Sequence, residues 1–474
     1  MNELPDLSRL SESDKDNLIV ELWSQMAGMK KLILDLQVQV EELQGRLAKN
    51  SRNSSKPPSS DGLNKPAPKS LREAGQRPSG GQKGHPGRTL KKVAKPDKTV
   101  RHEPPGQCDA CGRALSEQAV IDSRQVFDLP PLRFEVTEHQ VLQAQCTCGK
   151  VHRGEFPEGV SAPVQYGPQA LAAMVHMSQH HMLPAWRTAG LMGDFFDLPM
   201  SDATVLSAVS QAAERLQPTV QAIGQALIKA PIAHADETGL RVNKTLHWMH
   251  VLASASLTWL GPHAKRGKEA FDALGLLPLF MGTLIHDGWA PYRALACKHG
   301  LCNAHHLREL VYVDEQLKQG WAREMIELLV AASREVALTA QPLARKRQAH
   351  YLWAYRAILV KGKTLNPLQP PSGRRGRTKQ SKATNLLTRL RTQAADVWRF
   401  MTDAGVPFSN NIAEQAVRMP KVKQKISGCF RSVRGAEAFC TIRSYAATMH
   451  KQGANIFHCL ALVFQGKTPQ PRLT

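Results

Sequence analysis

The sequence predicts a multidomain α+β protein. It has an N-terminal coiled-coil helix, a small zinc-binding β domain, a helical region, and a mixed α/β core interrupted by a helical insertion. Three observations predict this. A heptad of apolar residues runs through the N-terminal segment, two close cysteine pairs follow, and beyond Pro231 the hydrophobic period changes from helical to alternating. At 474 residues the chain has room for about three domains, each with a core of its own.

Composition narrows the class. Lys+Arg number 62 against 40 Asp+Glu, a formal net charge of +22. An excess of this size favours a polyanionic partner, most commonly nucleic acid; a basic protein that is merely soluble is the alternative. With 42% hydrophobic and 22% charged residues the chain is globular rather than wholly disordered. The N-terminus MNELPDLSRLSESDKDN is polar and mildly acidic, unlike a secretory signal. The longest apolar stretch, 274–285, is broken by Pro278 and too short for a bilayer, so no membrane partner is expected. Nine cysteines are too few for a disulfide scaffold, and four lie in two close pairs, which points to metal binding in a reducing cytoplasm.

Residues 13–49 carry the heptad. Ile19, Leu22, Met26, Met29, Ile33, Leu36, Val40, Leu43 and Leu47 are spaced alternately three and four apart. So narrow a seam suits a partner helix, and the expectation is a homo-oligomer joined through residues 19–47; an amphipathic helix docked on its own chain is the alternative. Over 50–101 the composition turns to Pro, Gly, Ser and Lys, with thirteen Lys/Arg against three Asp/Glu from 51 to 101. Such a segment cannot offset its chain entropy by burial, and reads as a basic tether that either follows DNA phosphates or simply links.

Residues 102–155 hold Cys108-x-x-Cys111 and Cys146-x-Cys148. Each pair brings two thiolates close enough to share one ion, and two pairs complete a tetrahedral structural Zn²⁺ site. The second pair is tighter than a C-x-x-C, which makes His152 the substitute fourth ligand. Val126, Leu129, Phe134, Val136, Val141 and Leu142 suggest short strands between the pairs. Residues 160–230 read as helices, with Ser201-Asp202 as a natural helix start; they either read DNA or only pack.

The core begins at 231. Residues 232–238 read as a strand end, and 246–252 and 257–260 as two further strands. A helical KEAFDALGLL precedes an apolar strand ending in His286-Asp287-Gly288. A short helix and a last strand then lead through Cys302-Asn303-Ala304-His305-His306 into a long helix. This is the element order of a ribonuclease-H-like mixed sheet, here over 231–310. That topology sets Asp236 and Asp287 side by side at strand ends, a seat for Mg²⁺ with its preference for few, hard oxygen ligands. A third carboxylate is needed for a second ion. Glu414 fits, because Asn410-Asn411 can cap a helix over 412–418. The long interval before it predicts a helical, basic insertion over 311–405. The glutamate helix and a basic segment follow over 406–450, and a C-terminal tail over 451–474. Glu237 rivals Asp236, but strand alternation turns the two to opposite faces, so one alone faces the ions. His234, His286, His305 and His306 show no triad spacing and read as packing or phosphate contacts.

The order of blocks is zipper, NSSKPPSSDG, paired cysteines, HADETGLRV, HDGWAPY, CNAHHLREL and FSNNIAEQAVRMPKVKQKISGCFRS. It resembles the bacterial transposases of the insertion sequence 66 family over almost the whole chain, and the last block and SSKPPSSDG are specific. The resemblance implies a DDE transposase with Asp236, Asp287 and Glu414 in the three acidic roles and two Mg²⁺ (or Mn²⁺) ions per active site. Such ions would activate water and then the freed 3′-hydroxyl, and stabilise the leaving oxygen. It further implies binding of the element's terminal repeats, end cleavage and strand transfer into target DNA, small companion proteins from the same element, and a place in the bacterial cytoplasm with the nucleoid. Two departures stand out: the tight Cys146-x-Cys148 pair, and Asn303 where a tryptophan is more common.

Two basic blocks mark where DNA would lie. Residues 361–391 hold nine Lys/Arg and no acid, including Arg374, Arg375 and Arg377. Residues 418–434 hold six more and no acid: Arg418, Lys421, Lys423, Lys425, Arg431 and Arg434. Such blocks neutralise phosphates, or else form a solvated face. The second leaves the glutamate helix and contains Phe430, a candidate stacking group. Two other functions stay open on the same residues: a non-catalytic zinc-finger DNA-binding regulator, and a ribonuclease-H-like structure-specific nuclease.

Overall fold

The computed structural model describes residues 10–54, 61, 90–115, 119–130, 132–339, 342–370 and 378–474. Two compact units emerge. One comprises Met1–Ala67, Glu155–Ala189 and Ser201–Thr474, the other Pro68–Gly154 and Gly190–Met200.

The larger unit opens with helix α1 (Glu12–Leu47), started by a capping box in which Ser11 and Asp14 satisfy each other's backbone N–H. The heptad residues Ile19, Leu22, Met26, Met29, Ile33, Leu36, Val40, Leu43 and Leu47 are all exposed along it. The seam is therefore not docked on the described residues of its own chain. Near its end, Lys382 Nζ donates to the Gly45 carbonyl at 3.3 Å, and Arg52 pairs with Glu315 just beyond.

In the smaller unit, strands β1 (Gln143–Gln145) and β2 (Val151–Arg153) form an antiparallel hairpin with Ala144 opposite His152. Val126, Leu129, Phe134, Val136, Val141 and Leu142 lie outside any strand. The strands expected between the cysteine pairs are thus reduced to this hairpin. Val126 and Val136 are 91% and 90% exposed, and β-branched residues favour a strand only where a neighbouring surface buries them.

The helical region comprises α2 (Pro168–Val175), α3 (Ala185–Phe196) and α4 (Asp202–Ile228). Ser201 caps α4 by accepting from the Thr204 N–H. A stripe from Val205 through Ala208, Ala212, Leu216, Val220, Ile223 and Leu227 is buried along α4 at helical spacing.

The sheet follows: β3 (Ile232–Val242), β4 (Thr245–Ala253), β5 (Thr258–His263), then helix α5 (Lys268–Leu274), β6 (Thr283–His286) and β7 (Lys298–Leu301). The strand order is β5-β4-β3-β6-β7. The first three strands form an antiparallel meander, and β6 and β7 run parallel to β3. Asn243 and Lys244 close the β3–β4 hairpin with φ of 46° and 66°, the left-handed pair that a two-residue turn of matching twist requires.

After β7 come α6 (Asn303–Leu317), α7 (Gly320–Thr339), α8 (Arg345–Leu365), α9 (Lys382–Thr392) and the short α10 (Ala394–Val397) and α11 (Arg399–Thr402). They pack around Leu310, Trp321, Met325, Tyr355, Leu386 and Trp398, with Ile285 and Leu301 of the sheet joining in. The chain then returns to the sheet through α12 (Asn411–Ser427), α13 (Val433–Lys451) and α14 (Ile456–Phe464). Helix α12 lies on β3 and β4, α13 on β5 and α4, and α14 on α2. Packing thus occupies one side of α2 and α4. The stretch 451–474, expected as a tail, contains α14, whose Ile456, Leu460 and Val463 are buried.

Alternation along β3 separates two cores. Ala233 and Ala235 join Leu252, Phe271 and Tyr292 on one face of the sheet. Leu240 and Val242 join Met249, Val251, Ala413 and Phe439 on the other. Even-numbered residues of β3 therefore face α12 and odd-numbered ones face α5 and Tyr292.

Candidate active site

Asp236, midway along β3, and Asp287, just past β6, lie near enough to Glu414 of α12 for their charges to act on one another, though their oxygens do not all come within 4.8 Å. The β3–β6 register pairs His234 with Ile285, and carried two residues further it sets Asp236 level with Asp287. Asp287 follows β6 in a tight turn. Gly288 has φ +90°, a conformation open to glycine, and this lets the Trp289 N–H return to Asp287 Oδ1 at 2.8 Å.

Glu414 lies in the first turn of α12, and buried Asn410 locks that turn to the sheet. Asn410 Nδ2 donates to the Ala235 carbonyl at 2.8 Å, and its Oδ1 accepts from His234 Nδ1 at 2.9 Å. Asn410 is the expected N-cap by position, but its side chain is spent on β3 instead of on its own helix. Cys302, at the end of β7, completes the clamp. Its sulfur accepts from the Asn410 N–H at 3.1 Å and its thiol faces Glu414 Oε1 at 3.6 Å. The Glu414 carboxylate also lies 3.7 Å from His305 Nδ1 and 4.0 Å from Arg308 Nη2.

The electrostatics follow from this proximity. Burial pushes the Asp236 carboxyl up to about 8, and the nearby charges of Glu237, Asp287 and Glu414 add to the rise. A hydrogen bond from the Glu237 N–H at 2.9 Å opposes it. A buried carboxylate facing other carboxylates has the donor chemistry of a divalent-cation seat. Among the described residues, the one group of three or more candidate ligands with donor atoms all within 4.8 Å of one another is Cys302, His305 and Glu414. Glu414 is thus gathered toward Cys302 and His305. Burial raises the Cys302 thiol to about 12, so it stays protonated.

Glu237 points to the opposite face, where its carboxylate accepts from Arg266 and from the Tyr292 hydroxyl. The other histidines are packed. His286 Nδ1 accepts from the Gly288 N–H, so its Nε2 donates to His299 Nδ1 at 3.1 Å. His306 Nδ1 donates to Asn303 Oδ1 at 3.0 Å, and Asn303 Nδ2 donates to the Val397 carbonyl at 2.9 Å. Asn303 therefore ties α6 to α10. Burial holds His234 at about 4 and His286 and His306 at about 3, so all three are neutral near pH 7.

The cysteine pairs are each folded as a knuckle. The Gly112 N–H returns to the Cys108 carbonyl at 2.9 Å, and the Gly149 N–H to the Cys146 carbonyl at 2.8 Å. Backbone N–H groups of Ala110 and Cys111 point at the Cys108 sulfur and lower its thiol; the Cys148 N–H does the same for Cys146. Donors aimed at sulfur favour thiolate, the form that binds zinc. His152 stands in β2 opposite Ala144. The sulfurs of Cys108, Cys111, Cys146 and Cys148 do not all lie within 4.8 Å of one another, so each pair is assembled within itself.

Of the basic residues, Arg418 and Lys425 lie along α12, Arg431 just after it and Arg434 at the start of α13, all four exposed. Lys421 Nζ donates to the Gly239 carbonyl at 2.7 Å and Lys423 Nζ to the Ser178 carbonyl at 3.4 Å, so both are partly engaged in the fold. Phe430, expected to be free for stacking, packs against Phe439 at 5.3 Å between ring centres. Its backbone also bridges to Arg241 and Asn243, which draws the ring inward. Arg374, Arg375 and Arg377 lie outside the described residues. Sequence reasoning missed Asn410's clamp, Cys302 and Arg266; the sole signal was the position of Asn410 before a helix.

A mixed sheet with Asp236 midway along β3, not at the strand end expected, and Asp287 just past β6, preceded by paired-cysteine knuckles, defines the class: a multidomain α/β protein with a finger-like module. A family model described as the transposase IS66 family matches residues 163–438, more than half of the chain. The zinc-finger binding domain of transposase IS66 matches residues 105–149. The chain belongs to the IS66 transposase family. A family of unknown function matches residues 2–91. No curated protein matches. No helix among the described residues is long and apolar enough to cross a membrane.

Proposed function

We propose that the chain is the DNA transposase of a bacterial insertion sequence, binding the element's terminal repeats, cleaving its ends and transferring them into target DNA. The observation that carries this reading is that the charges of Asp287 and Glu414 act on the buried Asp236 in a chain of this family. The strand order, an antiparallel meander followed by two parallel strands, supports a ribonuclease-H-like core. Asp236 and Asp287 would hold one Mg²⁺ (or Mn²⁺) and Glu414 would complete a second site. When bound, the two ions would supply an activated water or 3′-hydroxyl and neutralise the leaving oxygen.

The protein's own residues set the geometry. The Trp289 N–H orients Asp287, and Asn410 fixes the start of α12 so that Glu414 stays beside β3. The cations Arg418, Lys425, Arg431 and Arg434 lead away from Glu414 and suit the phosphates of bound DNA, with Lys421 and Lys423 adding charge. Arg374, Arg375 and Arg377 are assigned to the same role from the sequence. Cys108, Cys111, Cys146 and Cys148 would hold one structural Zn²⁺. The exposed seam of α1 suits self-association as a coiled coil. The bacterial cytoplasm with its nucleoid, and small companion proteins from the same element, complete the reading.

A transposition assay in cells tests it. A donor plasmid carrying the element's ends should yield insertions with the wild type and none with Asp236→Ala or Glu414→Ala. Insertions at the wild-type rate with either variant would sink the catalytic reading and favour a DNA-binding regulator. Nicking without regard to end sequence would favour a structure-specific nuclease.

A further inference from the structure

Glu237, adjacent to Asp236, serves another group. Its side chain is 2% exposed, and both its oxygens are taken. Oε1 accepts from Arg266 Nε at 2.8 Å and also from Arg266 Nη2, while Oε2 accepts from the Tyr292 hydroxyl. Arg266, in the turn between β5 and α5, lies over two indoles. Its guanidinium carbon lies 4.7 Å from the ring centre of Trp248 and 4.0 Å from that of Trp289.

A guanidinium held through Nε and Nη2 by a carboxylate and lying over two indoles keeps Nη1 as its remaining donor. Arg266 is 37% exposed, and its Nη1 makes no hydrogen bond among the described residues. Trp289, on which it stacks, is the residue whose N–H holds Asp287, so Arg266 lies on the α5 side of the turn that carries Asp287, next to the acidic site along the chain. Three carboxylates repel a DNA backbone, and a fixed cation next to them is what would hold a phosphodiester there. Guanidinium, planar and weakly hydrated, suits that contact better than an ammonium.

We propose that Arg266 binds a backbone phosphate of the DNA strand lying across the Asp236–Asp287–Glu414 site, with Glu237 as the residue that positions it. This rests on the reading of the chain as a DNA transposase. Glu237 is then neither a metal ligand nor a spare for Asp236.

The test uses the full chain and duplexes bearing the element's end, each with one neutral methylphosphonate in place of a phosphate near the cleavage point. Affinity is measured in Ca²⁺, so that the readout does not depend on cleavage. For the wild type, one replacement should weaken binding about tenfold, the usual scale for a charged hydrogen bond. Arg266→Gln should bind the native duplex with the same loss and show no further loss at that one position, and Glu237→Gln should lose part of the same sensitivity. Arg266→Lys should recover only part of it. If Arg266→Gln keeps the wild-type methylphosphonate profile at every position, or loses affinity equally at all of them, the arginine is merely structural and the proposal fails. If the coupling to one phosphate is present but the wild type cleaves nothing in Mg²⁺, the catalytic reading fails and the phosphate contact stands.

Discussion

Replacing Asp236 by asparagine should make the metal-free protein more stable while removing its response to divalent ions. The Asp236 carboxyl is raised from 3.8 to about 8 by burial and by the charges of Glu237, Asp287 and Glu414. A folded-state value above the unfolded one means that the folded protein holds the proton more tightly. Stability is therefore fully present below pH 4 and falls as pH rises toward 8. Each pH unit in that window costs about 1.4 kcal/mol, so at pH 7 the charge on Asp236 costs on the order of 4 kcal/mol. Asparagine keeps the shape, never ionises, and can recover up to that amount. For a large unit this is a rise of roughly 5–8 °C at most in melting temperature.

The assay is calorimetry of wild type and Asp236→Asn at pH 5, 7 and 8.5 with no added divalent ion, and without a chelator so that zinc stays in place. The advantage of the variant should grow with pH. Mn²⁺ or Mg²⁺ should raise the wild-type melting temperature, more at pH 8.5 than at pH 5, and leave the variant nearly unmoved. A variant that melts at or below the wild type at pH 8.5, with an equal response to Mn²⁺, would refute the argument that these acids form one cation seat.

Other consequences are more local. Asn410→Ala strands the Ala235 carbonyl and His234 in the interior and should destabilise by about 2–3 kcal/mol, with a loss of end cleavage larger than the stability change explains; urea titration beside a cleavage assay checks both. Purified protein should carry one Zn²⁺ per chain by elemental analysis, and Cys108→Ser or Cys146→Ser should lower that content while α2–α14 keep their circular dichroism. Neutralising Lys425, Arg431 and Arg434 together should flatten the salt dependence of DNA binding by about 0.9 for each phosphate that the protein no longer neutralises; an unchanged slope would leave these residues as a solvated face.

Much of the fold could be read from one-dimensional patterns because its causes are local. The change of period after Pro231 follows from alternation, and the observed β3–β6 register puts Asp236 level with Asp287, although β3 runs on to Val242 and leaves Asp236 midway along it rather than at a strand end. The same alternation parts Asp236 from Glu237. What stays hidden depends on partners distant in sequence. Nothing around Asn410 announces that its amide is used on Ala235, 175 residues earlier, or that Arg266 answers Glu237 29 residues before it. Phe430 reads as free because its neighbours are basic, while its packing partner Phe439 lies further along, inside α13. The apolar residues at 126–142 suggest strands, but without a surface to bury them the alternation makes none.

On the proposed function, Asp236, Asp287 and Glu414 together cut and join DNA. Its most direct measurement incubates the purified chain and Mg²⁺ with a labelled duplex carrying the element's own end and a target plasmid, beside Asp287→Ala. The wild type should nick the element's end and join the freed 3′-hydroxyl to the plasmid, and the variant should bind without either reaction. Equal joining by Asp287→Ala would contradict that function.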